Sequence, residues 1–217
     1  MIRALLFDFD LILGDSTDGI VLSIDHALKR SGHATPDIAD IKKTMGSSLK
    51  ETYFALTSDD DPDRAERSAK LFKEKADDVM VDHTELYAGV KTVLQDLKAK
   101  GYKTAIVTTK FHYRIDQILK KYDAEELIDI IVGAEDVKIE KPDPEGVLLA
   151  IKYLGVMKEE VLYVGDSLVD AKTAENAEVR FAAVRTGTTT RDDFRDHESV
   201  YIGKDIADVC NYVLTLG

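Results

Sequence analysis

Leu5-Leu6-Phe7-Asp8-Phe9-Asp10-Leu11-Ile12-Leu13-Gly14-Asp15-Ser16 is the stretch from which the fold can be read. Three apolar residues lead into Asp8. Asp10 follows two positions later, on the same side if the chain stays extended, because side chains alternate across a strand with period two. Two carboxylates then converge at the C-terminal end of a strand, the edge where open α/β sheets build their sites. Like charges held together away from water repel, so the pair requires a neutralising cation or a retained proton. Metal binding and acid–base chemistry are both open to it. Taken alone, the two aspartates read equally well as ordinary strand-end polar residues.

Downstream of Ser16 the pattern turns helical. Ile20, Val21, Ile24, Ala27 and Leu28 recur at helical spacing, and Ser31-Gly32 supplies a stop. Short helices are predicted over 36–43 and 49–56, the second capped by Ser47 or Ser48, and Asp61 with Pro62 opens a long helix to about Val81. Residues 17–83 are therefore predicted as an all-helical insertion into a core made of residues 1–16 and 84–217.

From Tyr87 strand and helix alternate. Val90, Val93, Leu94 and Leu97 mark a helix stopped by Gly101. A strand over 103–107 ends in Thr108-Thr109-Lys110, a helix spans 113–122, and a buried strand covers 128–132. The loop that follows carries Lys138 and Lys141, and Pro144 opens a helix to about Leu154. A strand over 161–164 runs into Gly165-Asp166-Ser167-Leu168-Val169-Asp170 and a helix through Ala177. Strands over 181–184 and 200–202 and a helix over 206–216 close the chain. Such alternation indicates an α/β protein with a Rossmann-like, mostly parallel sheet covered on both faces.

The chain of 217 residues carries 29 Lys and Arg against 41 Asp and Glu, a formal net charge of −12. That balance opposes the nucleic-acid backbone. A single cysteine, Cys210, excludes an internal disulfide, and the five scattered histidines have no zinc spacing. No apolar run approaches the roughly 18 residues of a membrane span, and the start is too short and too acidic for a signal peptide. The expectation is a cytoplasmic protein with no membrane and no nucleic-acid partner. If so acidic a chain handles phosphate, it needs local compensation from lysines, backbone N–H groups and a divalent cation.

Four predicted strand ends supply such groups: Asp8 and Asp10; Thr108 and Thr109; Lys141 in the loop after the next strand; Asp166 and Asp170. A parallel sheet brings all of these to one edge. Carboxylates there would hold magnesium, which prefers oxygen ligands, while hydroxyl, N–H and lysine groups would hold the oxygens of a phosphoryl group. Each residue alone has a plain structural explanation as a strand-end hydroxyl, loop lysine or helix cap. Their joint occurrence does not.

The runs FDFD (7–10), IVTTK (106–110), EKPDPEGVLLA (140–150) and YVGDSLVDAKTA (163–174) resemble, in order and spacing, the motifs of the haloacid dehalogenase-like phosphatase superfamily. The likeness is greatest to its phosphoglycolate phosphatase and pyrophosphatase-type subgroup, and it places residues 17–83 where that family has a helical cap. The resemblance implies a Mg²⁺-dependent phosphatase for a small phosphorylated substrate, monomeric or homodimeric. It implies Asp8 as the nucleophile that becomes an aspartyl phosphate and Asp10 as general acid and then base. It also implies Thr108, Thr109 and Lys141 as phosphate-binding groups. Asp8, the main-chain oxygen of Asp10, Asp166 and Asp170 are implied as the metal ligands. A phosphomutase, or a weakened regulatory relative, is the alternative.

One departure bears on the alternative: the family usually continues after its second aspartate with Gly-Thr, and here Leu11 and Ile12 follow. Their loss would reshape the turn that presents Asp10. Substrate choice is expected in the helical insertion, with Gly46, Ser47, Ser48, Lys43 and Lys50 as candidates. Lys141 is expected on an exposed loop.

Overall fold

A computed structural model describes residues 1–215. The chain opens with β1 (Ala4–Phe7) and a two-residue β2 (Gly14–Asp15). Four helices follow: α1 (Thr17–Arg30), α2 (Ile38–Lys43), α3 (Leu49–Thr57) and α4 (Pro62–Val79). β3 (Glu85–Leu86) returns the chain to the core. Then come α5 (Val90–Ala99), β4 (Lys103–Val107), α6 (His112–Lys121) and β5 (Ile130–Val132). The last elements are α7 (Glu145–Leu154), β6 (Val161–Gly165), α8 (Leu168–Ala177), β7 (Arg180–Val184), β8 (Tyr201–Gly203) and α9 (Ile206–Thr215). Leu216, the expected end of the last helix, lies outside the described residues.

Six strands form one wholly parallel sheet in the order β5-β4-β1-β6-β7-β8, so the fold is α/β as expected. β1 is central and fully buried, and its period of two divides it between the two layers. Leu5 and Phe7 pack with residues of α5, α6 and α9. Ala4 and Leu6 pack with residues of α7 and α8. Cys210 is buried in α9. A third apolar cluster belongs to the insertion alone: Ile20, Ile24 and Leu28 of α1, Ile41, Tyr53, Ala65, Ala76 and Met80. Its helices start where the local chemistry says they should, with Ser48 in a reciprocal capping box with Glu51 and Asp61 accepting from the first-turn N–H groups behind Pro62.

The structure changes three local expectations. β1 stops at Phe7, so extended-strand alternation does not carry Asp10: the Phe9 carbonyl accepts from the N–H groups of Ile12, Leu13 and Gly14, folding the chain into a tight turn. That turn forms without glycine at position 11. Leu11 takes the left-handed region at φ 61°, at a cost of about 1–2 kcal/mol for an L side chain. Both Leu11 and Ile12 are buried, and burying such a side chain offsets about 1.5–3 kcal/mol. The pair therefore makes the bend rather than reshaping it, and Thr186 donates its hydroxyl to the Leu11 carbonyl from the loop after β7. Third, β2 and β3 form an antiparallel ribbon at the two crossings between core and insertion, too short to leave a periodic signal.

Candidate active site

The C-terminal edge of the sheet assembles the predicted residues. Asp8 directly follows β1, its N–H donating to the Val164 carbonyl at 3.0 Å. Thr108 and Thr109 follow β4, Lys141 lies between β5 and α7, and Asp166 and Asp170 flank the start of α8. Three carboxylates, from Asp8, Asp166 and Asp170, place oxygens within 4.8 Å of one another, all buried.

Lys141 is buried, not on an exposed loop as expected, because its ammonium is the counter-charge of this cluster. It stands 2.7 Å from Asp170 Oδ1, 3.2 Å from Asp8 Oδ2 and 3.3 Å from the Tyr163 hydroxyl. Asp170 accepts at both oxygens: Oδ1 also accepts from Tyr163, and Oδ2 accepts from the Ser167 hydroxyl at 2.6 Å and from the N–H groups of Asp166 and Ser167. Glycine at 165 permits this, since a Cβ there would lie 2.3 Å from that of Asp170.

Burial pushes the Asp8 carboxyl up to about 6; Lys141 pulls it down, while Asp170 and Asp10 add to the rise. Burial, then the charges of Asp170 and Asp8, raise Asp166 well above the carboxylate range. Burial would raise Asp170 too, but Lys141, Ser167 and Tyr163 together hold it low. Lys141 is the mirror case: burial would lower it, and Asp170 and Asp8 raise it well above its ordinary value.

The donor set fits a divalent cation of the magnesium type. Three buried carboxylates face a single ammonium, which leaves negative charge uncompensated in a poorly solvated place. Asp8 Oδ1 is buried with no hydrogen-bond partner among the described residues. Gly187 closes against the Asp166 carboxylate, where a Cβ would fall 1.7 Å from Oδ2.

Asp10 is engaged elsewhere. Its Oδ2 lies 2.5 Å from the Lys110 ammonium and its Oδ1 accepts from the Ser16 hydroxyl, which in turn accepts from Lys110 at 2.8 Å. The side chain is outside the carboxylate cluster, which leaves its main-chain oxygen as the group it could offer a metal. Lys110 and Ser16 were not singled out in the sequence. Both stand in the quoted runs, but nothing local says that Lys110 folds back onto a residue 100 positions earlier. The Thr108 hydroxyl accepts from the Lys110 N–H at 3.3 Å and keeps its proton free to donate.

A cavity of about 60 Å³ opens beside Asp10 between the sheet edge and the helical insertion. Gly46 and Ser47 line it, as expected of the 46–48 turn. The other three candidates do not: Ser48 caps α3, Lys43 pairs with Asp40 and Lys50 with Glu66. Arg114 ties the two halves beside the cavity, donating to Asp77 and to the Lys73 carbonyl of α4. His112 Nδ1 lies 3.0 Å from Asp136 Oδ2, outside the carboxylate cluster.

The fold and this edge define the class. A family model described as haloacid dehalogenase-like hydrolase matches residues 5–184, and the chain belongs to that family. The pyrophosphatase PpaX of Halalkalibacterium halodurans is 29% identical over 212 residues, covering 98% of this chain and 97% of its own. The pyrophosphatase PpaX of Bacillus cereus is 32% identical over 183 residues, 84% of this chain and 83% of its own. Among solved structures, a haloacid dehalogenase-like hydrolase from Bacteroides fragilis superposes with a TM-score of 0.93 at 38% identity, covering 96% of this chain and 100% of that one. No described helix is long and apolar enough to cross a membrane.

Proposed function

We propose that the chain is a magnesium-dependent phosphatase of small phosphorylated molecules, working through an aspartyl phosphate on Asp8 beneath a helical cap formed by residues 17–83. The observation that carries this reading is the buried trio of carboxylates around one lysine, with an unpartnered oxygen on Asp8 itself. Names of relatives that act on pyrophosphate are consistent with phosphoryl chemistry.

Asp8 attacks phosphorus while the leaving oxygen takes a proton from Asp10. Asp10 then accepts a proton from the water that cleaves the aspartyl phosphate, which returns Asp8 and releases phosphate. The Thr108 hydroxyl and the Thr109 N–H hold the phosphoryl oxygens. Lys141, already within 3.2 Å of Asp8, offsets charge on them as it builds. Lys110 and Ser16 fix the position of the Asp10 carboxylate at the cavity lining. Asp8, Asp166, Asp170 and the Asp10 main-chain oxygen would hold magnesium, which would supply charge neutralisation for phosphate and nucleophile.

Purified protein should release phosphate from small phosphate monoesters with magnesium and stop on chelation. Asp8→Asn should lower turnover by about 10⁴-fold or more, as loss of a nucleophile does. Near-normal turnover in folded Asp8→Asn protein would remove Asp8 from its role, and a metal-independent rate would remove magnesium.

A further inference from the structure

We infer, on the phosphatase reading above, that the substrate is the phosphate ester of a small uncharged alcohol whose leaving group occupies the cavity between insertion and core. Three observations converge on it. The first is size: at about 60 Å³ the cavity has room for a small leaving group and not for a large one.

The second is the wall. The insertion presents Ile20, Ile24, Met45, Leu49, Phe72 and Met80 to the cavity. Among these stand three hydroxyls, of Thr44, Ser47 and Thr52. Thr44 donates to the Ile41 carbonyl, whereas the hydroxyls of Ser47 and Thr52 have no partner among the described residues. An alcohol with one apolar face and a hydroxyl or two matches this wall.

The third is charge, and it excludes the anionic alternatives. Of the lining residues only Asp10, Lys110 and Arg114 are charged, and each is already matched. Lys110 is spent on Asp10 and Ser16. Arg114 is spent on Asp77, at 2.7 and 2.9 Å, and lies over the Phe111 ring. Lys73 stands 4.7 Å over Phe111 and does not line the cavity. A leaving group bearing a carboxylate or a second phosphoryl would lose its hydration here without gaining a counter-charge, a net penalty for buried ions. The selectivity therefore differs from that printed in the names of the PpaX relatives.

The test uses binding and turnover side by side. Magnesium-loaded Asp8→Asn protein is titrated by calorimetry with propyl phosphate, glycerol 1-phosphate and phosphoglycolate, and wild-type phosphate release is measured on the same three and on pyrophosphate. The two neutral-alcohol esters should bind at least tenfold more tightly than phosphoglycolate and show at least tenfold higher kcat/KM than either anionic compound. Leu49→Lys, which puts an unmatched ammonium on the half-buried start of α3, should shift the binding ratio toward phosphoglycolate at least tenfold. Equal or tighter binding of phosphoglycolate by Asp8→Asn protein, or binding of none of the three, overturns the assignment. If the binding preference holds while the wild type releases no phosphate from any compound, the ligand class stands and the phosphatase reading falls.

Discussion

The carboxylate edge of the sheet and the helical insertion are built on opposite principles. At the sheet edge, Asp8, Lys141, Asp166 and Asp170 are buried ionisable groups, and each depends on the others for compensation. On the insertion, the wall is apolar with a few hydroxyls, and it merges with a cluster that packs on its own. Removing a partner from a buried ion set leaves an uncompensated charge, whereas trimming an apolar wall changes only volume and contact. Chemistry and stability are thus coupled at the sheet edge and separable in the insertion.

The sharpest way to break this contrast is Lys141→Ala. It should lower turnover by about 10²–10³-fold, as loss of a key charge-stabilising donor does. It should also cost about 3–5 kcal/mol of stability, because Asp8 and Asp170 lose their shared counter-charge. Phosphate release and a denaturant titration read the two effects, and an unchanged denaturation midpoint would return Lys141 to the exposed loop that the sequence suggested.

Lys110→Met probes the boundary between the two regions, where Lys110 and Asp10 line the cavity. Asp10 keeps its bond from Ser16 but loses the ammonium that aims it. Turnover should fall by about one to two orders of magnitude, up to the lower end of the roughly 10²–10⁴ that a positioned acid–base group contributes, with KM changed far less. A change in KM alone would make Lys110 a binding group instead.

Asp59 tests whether the insertion is energetically its own unit. It accepts from the Asp61 N–H, the Tyr53 hydroxyl and Arg64, which hold its carboxyl down at about 2. A lowered value contributes stability that is complete above the ordinary 3.8 and lost as pH falls through about 2. Melting temperature should therefore drop between pH 4 and 2 more in the wild type than in Asp59→Asn. At neutral pH the variant should melt lower while keeping turnover within about twofold, as expected for a site far from the carboxylates. A tenfold loss of turnover would show that the two regions are coupled.

The smallest effect is expected at the turn joining them. Leu11→Gly relieves about 1–2 kcal/mol of left-handed strain and forfeits about 1.5–3 kcal/mol of apolar burial, so the two nearly cancel. Stability by denaturation should move by about 1 kcal/mol, and turnover should not rise. A large gain in turnover would mean that Leu11 does misplace Asp10.

What the sequence determined by itself was the fold class, the order of the main elements, the run of helices between 17 and 83, and the placement of Asp8, Asp166 and Asp170 at one sheet edge. Helix and strand periodicity are properties of neighbouring residues, and a polar residue just past an apolar strand can only lie at the sheet edge. Asp8, Thr108, Asp166 and Asp170 were legible for that reason. The turn at Leu11 was not, because a left-handed leucine contradicts local preference and is held by tertiary burial. Only the tertiary structure decided that Lys141 is buried between two carboxylates, that Lys110 reaches Asp10 across 100 residues, and that Lys43 and Lys50 turn away from the cavity. Ion pairing and cavity shape depend on distances between segments far apart in the chain, and packing sets those distances.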